Sequence, residues 1–183
     1  MRKKLLILSM CIVAILPMLM MPTVLTKRQP KCPTYVEGDW DYIPQILDQR
    51  VCEREDSIDL SLNTDEEGWW YGSFEGESYD SPCRVVIKGA VLDDDGNILD
   101  FDYRYYTGIV NYKGKVNGKR GRLTMRVAGR DDGPGTDWHG TWVILRGKGR
   151  LRRLQGFGTF WGPGFLGGEV PVPGIIWYEG WIH

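Results

Sequence analysis

Three segments decide the fold: Gly114-Lys115-Val116-Asn117-Gly118-Lys119-Arg120-Gly121, Gly140-Thr141-Trp142-Val143-Ile144 and Gly156-Phe157-Gly158-Thr159-Phe160-Trp161-Gly162. Glycines punctuate short runs in which apolar and polar residues alternate, and large aromatics recur between them. Alternation of period two is the mark of a half-buried strand. Asn117-Gly118 is a strong signal for a two-residue hairpin turn. Between Arg122 and Val127 the pattern is cleanest: Leu123, Met125 and Val127 share one face, and Arg122, Thr124 and Arg126 the other.

Working outward, the same grammar covers the chain from about residue 34. Gly38 to Ile43 reads as a short opening strand. Ser57 to Leu62, Trp69 to Tyr79, Arg84 to Leu92, Ile98 to Tyr106 and Gly108 to Val116 follow. Trp138 to Leu145, Arg150 to Trp161 and Ile175 to Ile182 complete the set. Thr107-Gly108 reads as a kink or bulge. Gly133-Pro134-Gly135 reads as a loop. No window in this part keeps a helical period. Glycines inside strands mark sharp coiling, and a sheet needs coiling to close on itself. The expectation is an all-β domain over residues 34–183: a single antiparallel, roughly eight-stranded closed barrel.

The first 31 residues stand apart. Arg2, Lys3 and Lys4 precede an apolar run from Leu5 to Leu25, and Lys27, Arg28 and Lys31 follow. That is the layout of an export signal, expected as a hydrophobic helix. A helix of this length also spans a bilayer, at roughly 1.5 Å per residue. Both a cleaved signal and a retained membrane anchor remain open. Either one places the domain outside the cytoplasm, secreted or membrane-anchored, with membrane association through this segment. Cys11 follows Met10 within the run and does not read as a lipidation site.

Charge is split along the domain. Residues 37–102 carry 19 acids and 4 bases, whereas residues 103–183 carry 13 bases and 5 acids. Two readings compete: the halves attract each other across strand pairs, or they form a bipolar surface that orients a partner or drives head-to-tail association. The domain as a whole is acidic, which argues against nucleic acid. Cys32, Cys52 and Cys83 leave one thiol over if two pair in an oxidising compartment. Cys52–Cys83 is the preferred disulfide, and Cys32–Cys52 stays open. No Cys-x-x-Cys occurs, and no metal site is expected.

The quoted segments, with Gly147-Lys148-Gly149-Arg150-Leu151 and Leu154-Gln155-Gly156-Phe157-Gly158-Thr159-Phe160, resemble a family of uncharacterised exported prokaryotic proteins. That family is similar in pattern to the small barrels grouped with allene oxide cyclase and the calycins. Gly38-Asp39-Trp40 and Trp70-Tyr71-Gly72-Ser73-Phe74-Glu75-Gly76 resemble its earlier strands. The resemblance covers most of residues 38–182 and implies a calycin-like barrel. It implies little about function, and no residues here match a cyclase site.

Candidate chemistry is sparse. His139, with Asp137 nearby, falls on the face opposite Trp138 and Trp142. Asp93, Asp95 and Asn97 around Gly96 loosely resemble a calcium loop but lack its bidentate Glu and flanking helices. Asp65-Glu66-Glu67 reads as a solvated turn. Arg146, Lys148, Arg150 and Arg152 recur at every second residue; on one strand they form a cationic stripe for an anionic partner, with Arg120, Arg122 and Arg126 nearby. Trp70, Phe74, Tyr112, Trp142, Phe160 and Trp161 are candidates to line an interior pocket for a small apolar ligand, or simply to fill a dry core. No cofactor motif is present and catalytic residues are not assigned. The leading expectation is an exported, non-enzymatic barrel that binds a small apolar ligand or serves as a structural or surface module. The alternative is a cyclase- or isomerase-type enzyme. An ionisable residue buried beside the aromatics would favour chemistry; oligomeric state stays open.

Overall fold

The computed structural model describes residues 32–163 and 174–183; the expected N-terminal signal helix lies outside them. The described residues belong to one compact unit, Cys32–His183. They contain ten strands and no helix: β1 Thr34–Glu53, β2 Ile58–Gly72, β3 Phe74–Ser78, β4 Pro82–Leu92, β5 Ile98–Asp100, β6 Tyr103–Val116, β7 Lys119–Asp131, β8 Trp138–Gly149, β9 Gly156–Gly162 and β10 Gly174–Ile182.

All pairings are antiparallel. The order β1-β10-β9-β8-β7-β6-β3-β2 returns to β1, because β1 also pairs with β2, so eight strands form a ring. Strands β4 and β5 extend the sheet beyond β2, and β4 also pairs with β6. The β6–β7 hairpin turns at Asn117 (φ 46°) and Gly118 (φ 76°), as the Asn-Gly pair predicts for a turn with positive φ at both central positions.

Strand alternation sends Val36, Trp40, Trp70, Tyr112, Leu123, Met125, Trp142, Phe160 and Tyr178 into one buried core. A smaller cluster of Leu60, Ile87, Ala90, Ile98 and Phe101 lies under the β4–β5 extension. Two interior glycines show how rings and glycines share the space. A Cβ on Gly158 would run into the Trp142 ring and the Glu179 carbonyl, and one on Gly140 would run into Phe160. Glycine is required there because an indole or phenyl ring occupies the volume.

Several expectations change. The opening strand is twenty residues long rather than six, because its second half continues to pair with β2 as far as Glu53. Trp69–Tyr79 is not one strand: Gly72 (φ 88°) breaks it into β2 and β3. No bulge occurs at Thr107-Gly108; β6 keeps register across both. Arg150–Arg153 is a turn, and β9 begins only at Gly156. The Cys52–Cys83 disulfide is not formed, and Cys32, Cys52 and Cys83 are free thiols. Register explains this: Cys52 sits opposite Asp59 on β2 and Cys83 opposite Thr64. Five residues of strand separate those partners by about 16 Å, beyond the Cα reach of a disulfide.

Candidate functional site

The ring interior divides into an aromatic half and a polar end. In the aromatic half, Trp40 stacks on Trp70 at 5.0 Å between ring centroids. Trp70 meets Phe74, Tyr112 and Tyr178 at 5.8, 6.1 and 5.2 Å, and Phe74 meets Trp142 at 5.9 Å. Polar atoms on these rings are mostly satisfied. The Tyr178 hydroxyl donates to the Tyr71 carbonyl at 2.8 Å and accepts from the Phe74 amide at 2.9 Å. Tyr112 donates to the Lys115 carbonyl, Trp142 Nε1 to the Glu179 carbonyl and Trp40 Nε1 to Ser78 Oγ. Trp70 Nε1 is buried without a partner among the described residues.

The polar end lies where β6, β8 and β10 begin and β7 and β9 finish. It gathers Tyr42 from β1, Glu66 from β2, Cys83 from β4, Arg104 and Tyr106 from β6, Asp131 from β7 and Trp138 from β8. Arg104 Nη2 and Nε donate to Asp131 Oδ2 at 2.5 and 3.1 Å. The Arg104 guanidinium also lies over Trp138, 4.7 Å from its centroid. Cys83 Sγ meets the Tyr106 hydroxyl at 3.0 Å, and Tyr106 packs edge-on against Trp138 at 5.6 Å. Thr64 Oγ1 donates to Glu66 Oε1 at 2.7 Å. The other carboxyl oxygens, Glu66 Oε2 and Asp131 Oδ1, are buried with no hydrogen-bond partner among the described residues.

Electrostatics ties these groups into one neighbourhood. Glu66, 1% exposed, has its carboxyl pushed up to about 7, by burial first and by Asp65 after it, against the Thr64 hydrogen bond. Burial also raises the Asp131 carboxyl, although the Arg104 charge and hydrogen bonds oppose it. Tyr42 is pushed up to about 12 by burial, opposed by Arg104 and reinforced by the Glu66 and Asp131 charges. Burial raises the Cys83 thiol to about 12 and lifts Tyr106 well above the ordinary phenol. A Glu66 carboxyl raised to about 7, beside phenols and the Arg104–Asp131 pair, can donate or accept a hydrogen bond to a small bound group.

No protein-family model matches the chain, and no curated protein matches it. Among solved structures it is similar to a protein of unknown function from the DUF3224 family of Shewanella oneidensis MR-1. The TM-score is 0.54 at 16% identity, over 82% of this chain and 96% of that one. At that identity the likeness shows the fold alone. An uncharacterised structural neighbour agrees with the uncharacterised group that the sequence resembles.

Of the aromatic candidates, Trp70, Phe74, Tyr112 and Trp142 come together inside the ring. Phe160 is also interior but lies at the polar end, 6.4 Å from Trp138. Trp161 faces outward and is 39% exposed, because it follows Phe160 in the alternation. His139 is exposed on β8, opposite Arg130 and Trp161. The Asp93 carboxylate accepts from the amides of Asp95 and Asn97 and from Asn97 Nδ2, so its own turn occupies it. Those bonds hold it below the usual carboxylate range.

The cationic stripe is not one strand. Arg146 and Lys148 lie on β8, while Arg150 and Arg152 belong to the following turn. A register shift between the Met125–Ile144 and Thr124–Arg146 pairs makes Leu145 an extra residue. Simple alternation after Trp142 and Ile144 would aim Arg146 into the core; the bulge sends it outward to Thr124 Oγ1 at 3.1 Å. None of the four stripe residues forms an ion pair among the described residues.

Sequence reading missed the polar end. Glu66, read as part of a solvated turn, is buried. Continuing the alternation of Leu60 and Leu62 through Thr64 would have found it.

Proposed function

We propose that the protein is an extracytoplasmic binding protein, a closed calycin-like barrel that holds a small molecule at the polar end of its interior. The ligand class is an apolar body carrying one hydrogen-bond donor, an alcohol or an amine. The observation that carries this reading is the pair of buried carboxyl oxygens, Glu66 Oε2 and Asp131 Oδ1, left without partners among the described residues. An unmade hydrogen bond at a buried polar atom costs on the order of 1–3 kcal/mol. A ligand that supplies the missing donor recovers that cost, while the rings of Tyr106, Trp138 and Phe160 cover its apolar body.

Benzyl alcohol, benzylamine and toluene share one ring and differ in the donor. Titration of each, followed by tryptophan fluorescence, is expected to give saturable binding for the first two and markedly weaker binding for toluene. Glu66→Gln and Asp131→Asn are expected to change the affinities for the donors and not for toluene. No saturable signal from any probe, or equal affinity for all three, overturns the reading.

An enzymatic alternative is favoured by the burial of ionisable Glu66 and Asp131 beside aromatic rings. A carboxyl pushed up to about 7 is matched to proton transfer near neutral pH. Under that reading Glu66→Gln retains binding and abolishes turnover of a bound isomerisable substrate.

A further inference from the structure

The outer surface of the ring carries two unlike faces, one centred on β1 and β10 and one on β7, which adjoin where β9 pairs with β8. Strand β1 stands four strands from β7 in either direction round the ring. The face around β1, β10 and β9 is acidic and aromatic. Trp177 and Trp181, 41% and 46% exposed, stand opposite Trp161 and Phe157 on β9. Across the other edge of β10, Asp39 faces Trp177 and Asp41 faces Ile175, with Glu37 one position along. Glu37, Asp39 and Asp41 form no ion pair among the described residues. A contiguous set of exposed indoles marks a recognition surface rather than scattered surface apolarity.

The face around β7 and β8 is basic. Arg122 sits directly opposite Lys148, and Arg126, Arg146, Arg150 and Arg152 surround them, all exposed. Like charges directly across a strand pair are destabilising, and among the described residues no acid forms an ion pair with these. The ring keeps the β1 carboxylates from neutralising them, since β1 stands three strands from β8 and four from β7. Within the molecule, arginine already seats on aromatic rings at Arg104–Trp138 and Arg130–Tyr103, 4.7 Å in each case.

We infer that the acidic–aromatic face of one copy takes the basic face of a second copy, head to tail. Carboxylates of β1 meet the β7–β8 cations, and exposed indoles take guanidinium groups in cation–π contact. Two different faces are used, so the contact is heterologous: it builds rings or open filaments rather than a two-fold dimer. This inference stands apart from the interior binding reading.

Two variants of the full chain in non-ionic detergent test it. Arg122→Gln with Lys148→Gln disables the basic face, and Asp39→Asn with Asp41→Asn disables the acidic face. Circular dichroism first establishes that each variant keeps the wild-type spectrum and melting temperature. In sedimentation velocity the wild-type chain is expected to associate at low ionic strength. Raising salt to ~0.3 M should raise the dissociation constant by roughly tenfold or more. Each variant alone should be monomeric. Their mixture should form a 1:1 pair and nothing larger, since one live face remains on each. A wild-type monomer at low salt, whatever else then binds the indoles, overturns the inference. So does a wild-type assembly that both variants retain, or a mixture that fails to pair.

Discussion

Replacing Glu66 by glutamine should flatten one component of the pH dependence of stability, and the size follows from its burial. The carboxyl is pushed from 4.5 to about 7 because folding removes it from water without supplying a cation. Below pH 4.5 it is protonated in folded and unfolded chains alike, and no penalty exists. As pH rises from 4.5 to about 7, the unfolded chain ionises and the native one does not, so stability falls; above about 7 the loss is complete. At about 1.4 kcal/mol per pH unit, the loss amounts to ~3 kcal/mol. For a domain of this size that is a drop of roughly 6–12 °C in melting temperature. Glutamine keeps the acceptor for Thr64 Oγ1 and cannot ionise. Guanidinium unfolding at pH 5, 6, 7 and 8, each a chosen condition at about that value, should show the variant gaining on wild type as pH rises. The Asp131 carboxyl is also raised and moves stability in the same direction, but it is common to both proteins and cancels in the difference. A difference between wild type and variant that stays constant from pH 5 to 8, in steps of about one unit, would refute the reasoning.

Three further outcomes follow from the packing. Trp142→Ala should cost about 3–5 kcal/mol in chemical denaturation, because the indole fills the space that Gly158 leaves open. Deleting Leu145 should cost far less than deleting Val143: removing the bulge residue leaves Ile144 inward and Arg146 outward, whereas losing Val143 inverts the strand beyond it; melting temperatures of the two deletions give the comparison. A maleimide should modify exposed Cys52 in the native protein and reach buried Cys83, whose thiol is pushed up to about 12, only on unfolding; peptide mapping by mass spectrometry separates the two.

The ring was legible where local chemistry specifies it. Asn117-Gly118 admits positive φ at two successive residues, and alternation from Arg122 to Val127 leaves only one way to face the strand. The polar end was not legible, for a physical reason. Asp65 and Glu67 flank Glu66 and make the triplet look solvated, yet a strand presents its odd and even residues to different media. Arg104 and Asp131 are 27 residues apart, and only the β6–β7 register sets them side by side. The Leu145 bulge has no sequence signature either; it appears only when Thr124 must oppose Arg146 instead of Leu145.

Strand order also decides what the charge split becomes. Had the acidic and basic halves alternated round the ring, each strand pair would have neutralised its neighbour. Instead, β3 meets β6, and at that seam the expected pairs do form: Lys113 with Glu77 at 2.9 Å and Lys115 with Glu75 at 3.5 Å. One strand further on, Arg122 already faces Lys113 on one side and Lys148 on the other. Both neighbours are cations, so intramolecular pairing ends there, and the remaining positive charge stays on the outer face of β7 and β8. The acids of β1 are held on the far side by the same closure that packs Trp40 against Trp70. A core that closes the ring and a surface that cannot neutralise itself therefore have one cause, the order of the strands.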